Sequence, residues 1–185
     1  MKALILYEDS GLDRYVKIII RNLKRRNFYV SVKNVSKTDL KYCKGCFSCW
    51  YKTPGVCVID ERADRINEEI IGSDLLVFLS RISFGGYHST MKKTFEHLLP
   101  IILPQVENGQ YLTRHIKRYK KYPVFLGVGV MAGNNNTEAR IFEALVKKNS
   151  YNINVDNSGA VVINKKKSIF RISADIESGL RLLLK

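Results

Sequence analysis

Short apolar runs alternate with helical stripes along the whole chain, and this alternation restricts the fold more than any other feature. Lys2 to Tyr7 is an apolar run suited to a buried strand, followed by Leu12, Tyr15, Val16, Ile19, Ile20 and Leu23 at helical spacing. Tyr29 to Val35 alternates apolar and polar residues, the pattern of a strand at a sheet edge. Ala63, Ile66, Ile70 and Ile71 form one face of a helix over Arg62 to Ile71, with Gly72 placed to end it. Leu75 to Leu79 is a third, wholly apolar strand. Ser89 is a candidate cap for a helix reaching Leu99, where Pro100 follows. Val124 to Val130 is the next buried strand, and Asn136 or Thr137 caps a helix to about Asn149. Gly159 to Ile163 is the last strand, and Ile176, Leu180, Leu183 and Leu184 stripe the final helix.

Strand runs separated by helices require an α/β fold, with helices covering both faces of a parallel sheet. The expected architecture is a three-layer, doubly wound sheet of five parallel strands in the order 2-1-3-4-5, over one domain spanning 1–185. Two segments stand outside this rhythm, a cysteine-bearing insertion at about 41–60 and a long basic stretch at about 100–122. A link as long as the second usually serves function or assembly. In the expected order the winding reverses between the first and third strands, and ligands bind beyond the carboxyl ends of the strands at such a reversal. The loops to inspect are therefore Glu8 to Asp13 and Ser80 to Ser89.

The second loop reads Ser80, Arg81, Ile82, Ser83, Phe84, Gly85, Gly86, Tyr87, His88, Ser89. Paired glycines let a backbone approach a flat ring, and Phe84 and Tyr87 can lie against it. A helix opening at Ser89 would point its amides back into the crevice. A flavin meets these chemical demands, although a Gly-Gly pair alone also suits a tight turn. His88, His97 and His115 each read as surface or structural residues, and no side chain is singled out as a catalytic acid or base.

All four cysteines, Cys43, Cys46, Cys49 and Cys57, fall within one short segment. Thiolates two residues apart on an irregular loop can converge on one centre, and the Pro54-Gly55 turn brings the fourth back. Zinc and iron–sulfur clusters both accept four thiolates, and the repeated two-residue step leans towards iron. A disulfide framework is the weaker alternative, and unliganded loop thiols are the plainest one. With no secretory signal at Met1-Lys2-Ala3, the expected compartment is the reducing cytoplasm. Phe47 and Trp50 within this loop are expected to shield a centre or pack between subunits.

The formal net charge is +14, which raises nucleic acid as a partner. The basic residues are scattered, however, at Lys24-Arg25-Arg26, Lys117 to Lys121, Lys147-Lys148 and Lys165-Lys166-Lys167, as expected of solvated helix ends and turns. Nucleic acid is not expected as a partner. Nor is a membrane, because no apolar run approaches the roughly 20 residues that span a bilayer.

The segment from Cys43 to Asp60, the stretch Ser73 to Tyr87, the run Met91 to Leu98 and the approach Arg118 to Pro123 together resemble the NAD(P)H-dependent FMN reductase and iron–sulfur flavoprotein family. The resemblance implies a flavodoxin-like fold and FMN at the switch point. It implies electron transfer from a nicotinamide nucleotide through FMN to a redox partner protein or small-molecule acceptor. By the same resemblance, Ser10, Gly11, Ser80, Arg81, Ile82, Ser83, Phe84, Gly85, Gly86 and Tyr87 bind the flavin, and Cys43, Cys46, Cys49 and Cys57 hold a [4Fe-4S] cluster. A homo-oligomer, a dimer or dimer of dimers, would bring one subunit's cluster to another's flavin.

Two positions depart from the family. A Ser- and Gly-rich phosphate loop commonly follows the first strand, and this chain has Glu8, Asp9, Ser10, Gly11, Leu12 and Asp13 instead. Each close carboxylate opposes a phosphate by about 1 kcal/mol in water, and by more in a crevice. Arg81 also stands where relatives more often have Thr-Pro, and it can grip a phosphate or fill part of the pocket. The alternative expectation is a flavodoxin-like binding protein that holds FMN weakly or not at all.

Overall fold

The protein is described by a computed structural model covering residues 1–108 and 113–184. Residues 109–112, which fall inside the long basic stretch, and Lys185 lie outside the described residues. In chain order the elements are β1 (Lys2–Tyr7), α1 (Asp13–Lys24), β2 (Tyr29–Asn34), α2 (Ser48–Tyr51), α3 (Glu61–Ile71), β3 (Leu75–Ser83), β4 (Gly86–Tyr87), α4 (Ser89–Glu96), β5 (Ile102–Asn108), β6 (Thr113–Lys117), β7 (Val124–Met131), α5 (Asn136–Asn152), β8 (Ser158–Asn164) and α6 (Ile169–Leu183).

The main sheet runs β2-β1-β3-β7-β8, with every neighbouring pair parallel. This is the expected 2-1-3-4-5 order. Strand β3 is central, and Leu75 through Ser80 are all buried, because helices cover both of its faces. Strand β2 lies at the edge and has no fully buried residue, so the apolar-polar alternation of its sequence is not matched by an alternation in exposure.

Alternate side chains of each strand enter different cores. Ala3, Ile5, Leu75, Val77 and Leu79 pack with Val16, Ile19 and Leu23 of α1 and Ile172, Ile176 and Leu180 of α6. On the opposite face, Leu4, Leu6, Leu76 and Phe78 pack with Ile66 and Ile70 of α3, Met91 of α4 and Phe142 and Val146 of α5. Each fully buried Leu, Ile or Phe contributes about 1.5–3 kcal/mol of transfer free energy, so the two cores account for most of what holds the layers together.

The structure corrects several local expectations. Helix α4 is capped by His88 rather than Ser89, with His88 Nδ1 accepting from the Thr90 amide at 3.4 Å, and it stops at Glu96. Helix α5 is capped by Asn135, whose side chain accepts from the amides of Thr137 and Glu138. In both cases the capping side chain lies one residue before the position that sequence favours.

Ser80 to Ser89 is not an open loop. Strand β3 continues to Ser83 and turns back through Phe84 and Gly85 into β4, which pairs antiparallel with it. The long basic stretch also has a structure of its own. Strands β5 and β6 pair antiparallel as a separate two-stranded sheet, with a register irregularity between Ile102 and Val106.

Candidate functional site

The reversal of winding lies between β1 and β3, and their carboxyl ends carry Glu8 and Asp9 on one side and Ser80 and Arg81 on the other. Glu8 has its side chain fully enclosed, and its Oε1 accepts from the backbone amide of Arg81 at 2.6 Å. Its Oε2 meets no hydrogen-bond partner among the described residues. Burial pushes the Glu8 carboxyl up to about 7, although hydrogen bonds from the Arg81 amide and Ser80 and the Arg81 charge pull the other way.

Asp9 is extended and caps the short turn that leads into α1, its Oδ1 accepting from the Gly11 amide at 2.6 Å. Its other oxygen, Oδ2, pairs with Nη2 of Arg81. Arg81 Nε also stands 3.5 Å from Glu8 Oε1, so two carboxylates hold the guanidinium. Ser10 is exposed at the start of the turn, and Ser80 Oγ accepts from the His88 amide at 3.0 Å. Asp9 thus ties Gly11 to Arg81, while Ser80 Oγ is engaged by the Arg81 carbonyl and the His88 amide.

The remaining expected flavin contacts are distributed differently. Positive φ at both Phe84 (50°) and Gly85 (78°) marks a two-residue hairpin turn of the I′ class, which leaves Phe84 93% exposed at its tip. The open space expected beside Gly85 is filled by protein, since a Cβ there would stand 2.5 Å from Cγ2 of Ile141. Ser83 pairs with Gly86 across the hairpin, and Ile82 pairs with Tyr87 and packs against the core. Tyr87 is buried, with its ring edge-on to Phe78 and Phe142 and stacked with Phe95. Of the two aromatic residues expected at a flat ring, Phe84 alone faces solvent.

A hollow of about 500 Å³ lies elsewhere, between α5 and β8, lined by Lys147, Asp156 and Ser158. The Gly11 amide and the Arg81 guanidinium, both held by Asp9, make the β1–β3 crevice the candidate site.

The cysteine loop folds into a second site. Cys43, Cys46, Cys49, Cys57 and His97 line a single cavity of about 20 Å³, enclosed in part by Phe47, Leu99 and Pro100. Its backbone bends through left-handed positions at Gly45 and Phe47 before the single turn of α2, which buries Cys49. Burial pushes the Cys49 thiol up to about 11, with neighbouring Cys57, Cys43 and Cys46 adding to the shift. Cys46 is exposed, and the Ser48 amide holds its thiol below the usual range.

His97, expected from sequence to be a surface or structural residue, is buried in this wall, and its distance along the chain from Cys57 gave no sign that the two meet. Its Nε2 donates to the carbonyl of Lys41 at 2.7 Å, which turns Nδ1 to face Cys57 Sγ at 3.9 Å. Among the described residues, no three His, Cys, Asp or Glu side chains stand close enough to hold a metal ion as placed. A cavity of about 20 Å³ has room for one water-sized sphere, so the donors suit a sulfur-bound centre while a four-iron cluster requires the loop to open.

The loop is fixed at both ends. Asp60 caps α3 and also accepts from the Lys41 amide at 2.7 Å, so it closes the loop at its base. Burial would raise the Asp60 carboxyl, but hydrogen bonds from the Arg62 guanidinium and the Lys41 and Arg62 amides outweigh it and hold the group down to about 2. Phe47 and Trp50 stack at 5.1 Å, and Trp50 meets His115 of β6 at 5.2 Å, so the loop packs against the β5–β6 hairpin.

No protein-family model matches the chain, and no curated protein matches it in sequence. Solved structures do. A putative quinone reductase from Klebsiella pneumoniae superposes with a TM-score of 0.74 at 13% identity, covering 100% of this chain and 85% of that one. An NAD(P)H:quinone oxidoreductase from Methanothermobacter marburgensis gives 0.73 at 10% identity, covering 100% and 98%. An FMN-dependent NADH-azoreductase from Bacillus anthracis, solved in complex with FMN, gives 0.67 at 13% identity, covering 98% and 99%. The chain therefore has a flavodoxin-like fold, shared over essentially its whole length with these structures.

Proposed function

We propose that this protein is an NAD(P)H-dependent flavin oxidoreductase that binds FMN at the β1–β3 crevice and passes electrons to a small-molecule or protein acceptor. The observation that carries the reading is the convergence of the Gly11 amide and the Arg81 guanidinium at the switch point of a flavodoxin-like fold. That donor set suits an anion, and the same fold in the structures above belongs to proteins described as quinone reductases and an FMN-dependent azoreductase. Bound flavin would supply a two-electron acceptor for hydride from a nicotinamide. The chain's own part is to hold the phosphate end at Gly11 and Arg81, to present Phe84 at the rim, and to keep Glu8 enclosed below.

The support for a second centre, a [4Fe-4S] cluster acting as a further electron carrier, is the four-cysteine spacing alone, and the loop would have to open to admit it. We place the protein in the cytoplasm as one domain, assembled as a homo-oligomer in which the cysteine loop and the β5–β6 hairpin lie at the interface.

One observation favours a second reading. Asp9 already occupies the Gly11 amide and the Arg81 guanidinium, as expected of a binding protein that takes FMN weakly or not at all.

Absorption spectra of anaerobically purified protein, with and without added FMN, test both readings alongside NAD(P)H oxidation with a quinone acceptor. Flavin bands with turnover support the reductase. A protein that stays colourless in excess FMN removes it, and sedimentation as a strict monomer removes the assembly.

A further inference from the structure

The geometry points to Asp9 as a built-in competitor for the flavin's phosphate, so that the crevice takes phosphate-free riboflavin about as well as FMN. This inference rests on the flavin reading above and adds a ligand preference to it.

An anion at the β1–β3 crevice needs backbone amides and a cation. The Gly11 amide donates to Asp9 Oδ1 at 2.6 Å, and the Arg81 guanidinium pairs with Asp9 Oδ2. One carboxylate, using both oxygens, thus fills the role that two phosphate oxygens would fill. The fit is close, since a Cβ at Gly11 would stand 2.8 Å from Asp9 Oδ1.

Other charges at the crevice reinforce the block. Glu8 Oε1 lies 3.5 Å from Arg81 Nε, so displacing Asp9 leaves a guanidinium still beside a second carboxyl oxygen. The next cation along the chain, Arg14, is turned away, with Nη2 bonded to the Tyr15 hydroxyl and 3.2 Å from the Lys165 carbonyl. An incoming phosphate must expel Asp9 from both partners while standing beside its negative charge. Riboflavin carries no charge at that end and meets no such opposition, while its ring has the same access to the crevice and to Phe84.

Fluorescence quenching of FMN and riboflavin by the full-length protein, by Asp9→Asn and by Asp9→Ala tests the inference. Asn keeps a capping oxygen for Gly11 and removes the charge, whereas Ala frees both the amide and the guanidinium. In the unaltered protein FMN should bind less than about tenfold tighter than riboflavin, and both substitutions should tighten FMN by roughly tenfold while leaving riboflavin nearly unchanged. Inorganic phosphate should then compete with FMN in Asp9→Ala. FMN binding more than about tenfold tighter than riboflavin in the unaltered protein, or unchanged FMN affinity in both variants, overturns the inference and leaves the flavin reading standing. If neither flavin binds to any of the three proteins, the flavin reading falls and takes the inference with it.

Discussion

The indole Nε1–H of Trp50 donates to the carbonyl oxygen of Leu99 at 2.9 Å, joining the cysteine loop to the segment that leads into the β5–β6 hairpin. Trp50→Phe keeps the ring contacts with Phe47 and His115 and strands the carbonyl. A loss of about 1–3 kcal/mol of stability is expected, because an unsatisfied acceptor costs more than the hydrogen bond contributed. Urea denaturation followed by circular dichroism checks this, and a change within about 0.3 kcal/mol would show that water replaces the indole.

The Glu8 carboxyl has a folded-state value of about 7 against an ordinary value of 4.5, and this fixes the sign of its pH effect. Below 4.5 the group is protonated in both the folded and unfolded states and makes no difference between them. As pH rises from 4.5 to about 7, the unfolded chain gives up this proton first, so stability falls across that window. The total loss above the window is roughly 3 kcal/mol, and Glu8→Gln should abolish it and leave the variant the more stable protein at pH 8.5. Denaturation midpoints of both proteins at pH 5 and pH 8.5 provide the measurement, with parallel shifts in the two proteins counting against the assignment.

Phe84 and Gly85 respond to substitution in opposite directions. Gly85→Ala places a methyl against Ile141 at a φ of +78° and should cost about 1–3 kcal/mol. Phe84→Asn puts a residue tolerant of left-handed backbone at a φ of 50° and should gain up to about 1 kcal/mol. The same change removes the exposed ring proposed to meet the flavin, so flavin affinity should fall while thermal stability rises. A Phe84→Asn protein with undiminished affinity would show that the ring lies outside the ligand's reach.

Exposure and local hydrogen bonding separate the four thiols. In metal-free protein Cys46 should be alkylated at least about tenfold faster than Cys49, because Cys46 is exposed with its thiolate favoured while Cys49 is buried with its thiolate disfavoured. Peptide mapping after brief iodoacetamide treatment distinguishes them. If iron or zinc binds, all four sites should become protected together, and protection of Cys46 alone would argue against a shared centre.

The architecture was legible because its signals are local. Six-residue apolar runs such as Lys2–Tyr7 and stripes such as Leu12 to Leu23 set element type, and the number of strand–helix units set the order. The β5–β6 hairpin was not legible, because β5 is largely exposed and contains Pro104 while β6 is half-buried and polar, so neither shows the apolar run of a buried strand. Cys43 to Cys57 announced a shared pocket through spacing, but spacing carries no record of His97, which packing on α3 and the Lys41 carbonyl bring to the same wall. Tyr87 misled for a related reason: aromatic residues beside Gly-Gly suit a ligand face or a core equally, and only the hairpin pairing with Ile82 turns this one inward.

Asp60, the cap of α3, holds the Lys41 amide, so the two ends of the cysteine segment meet at one point. Geometrically it is an excursion closed at its base. The β2-to-α3 connection needs only to bridge the short gap that this one carboxylate already spans, and neither the strand order nor the Asp9–Arg81 pair depends on what is threaded between. Exchanging residues 42–59 for a short glycine-rich bridge should therefore keep the strand order but lower stability, because Trp50 and Cys57 pack against the core beneath.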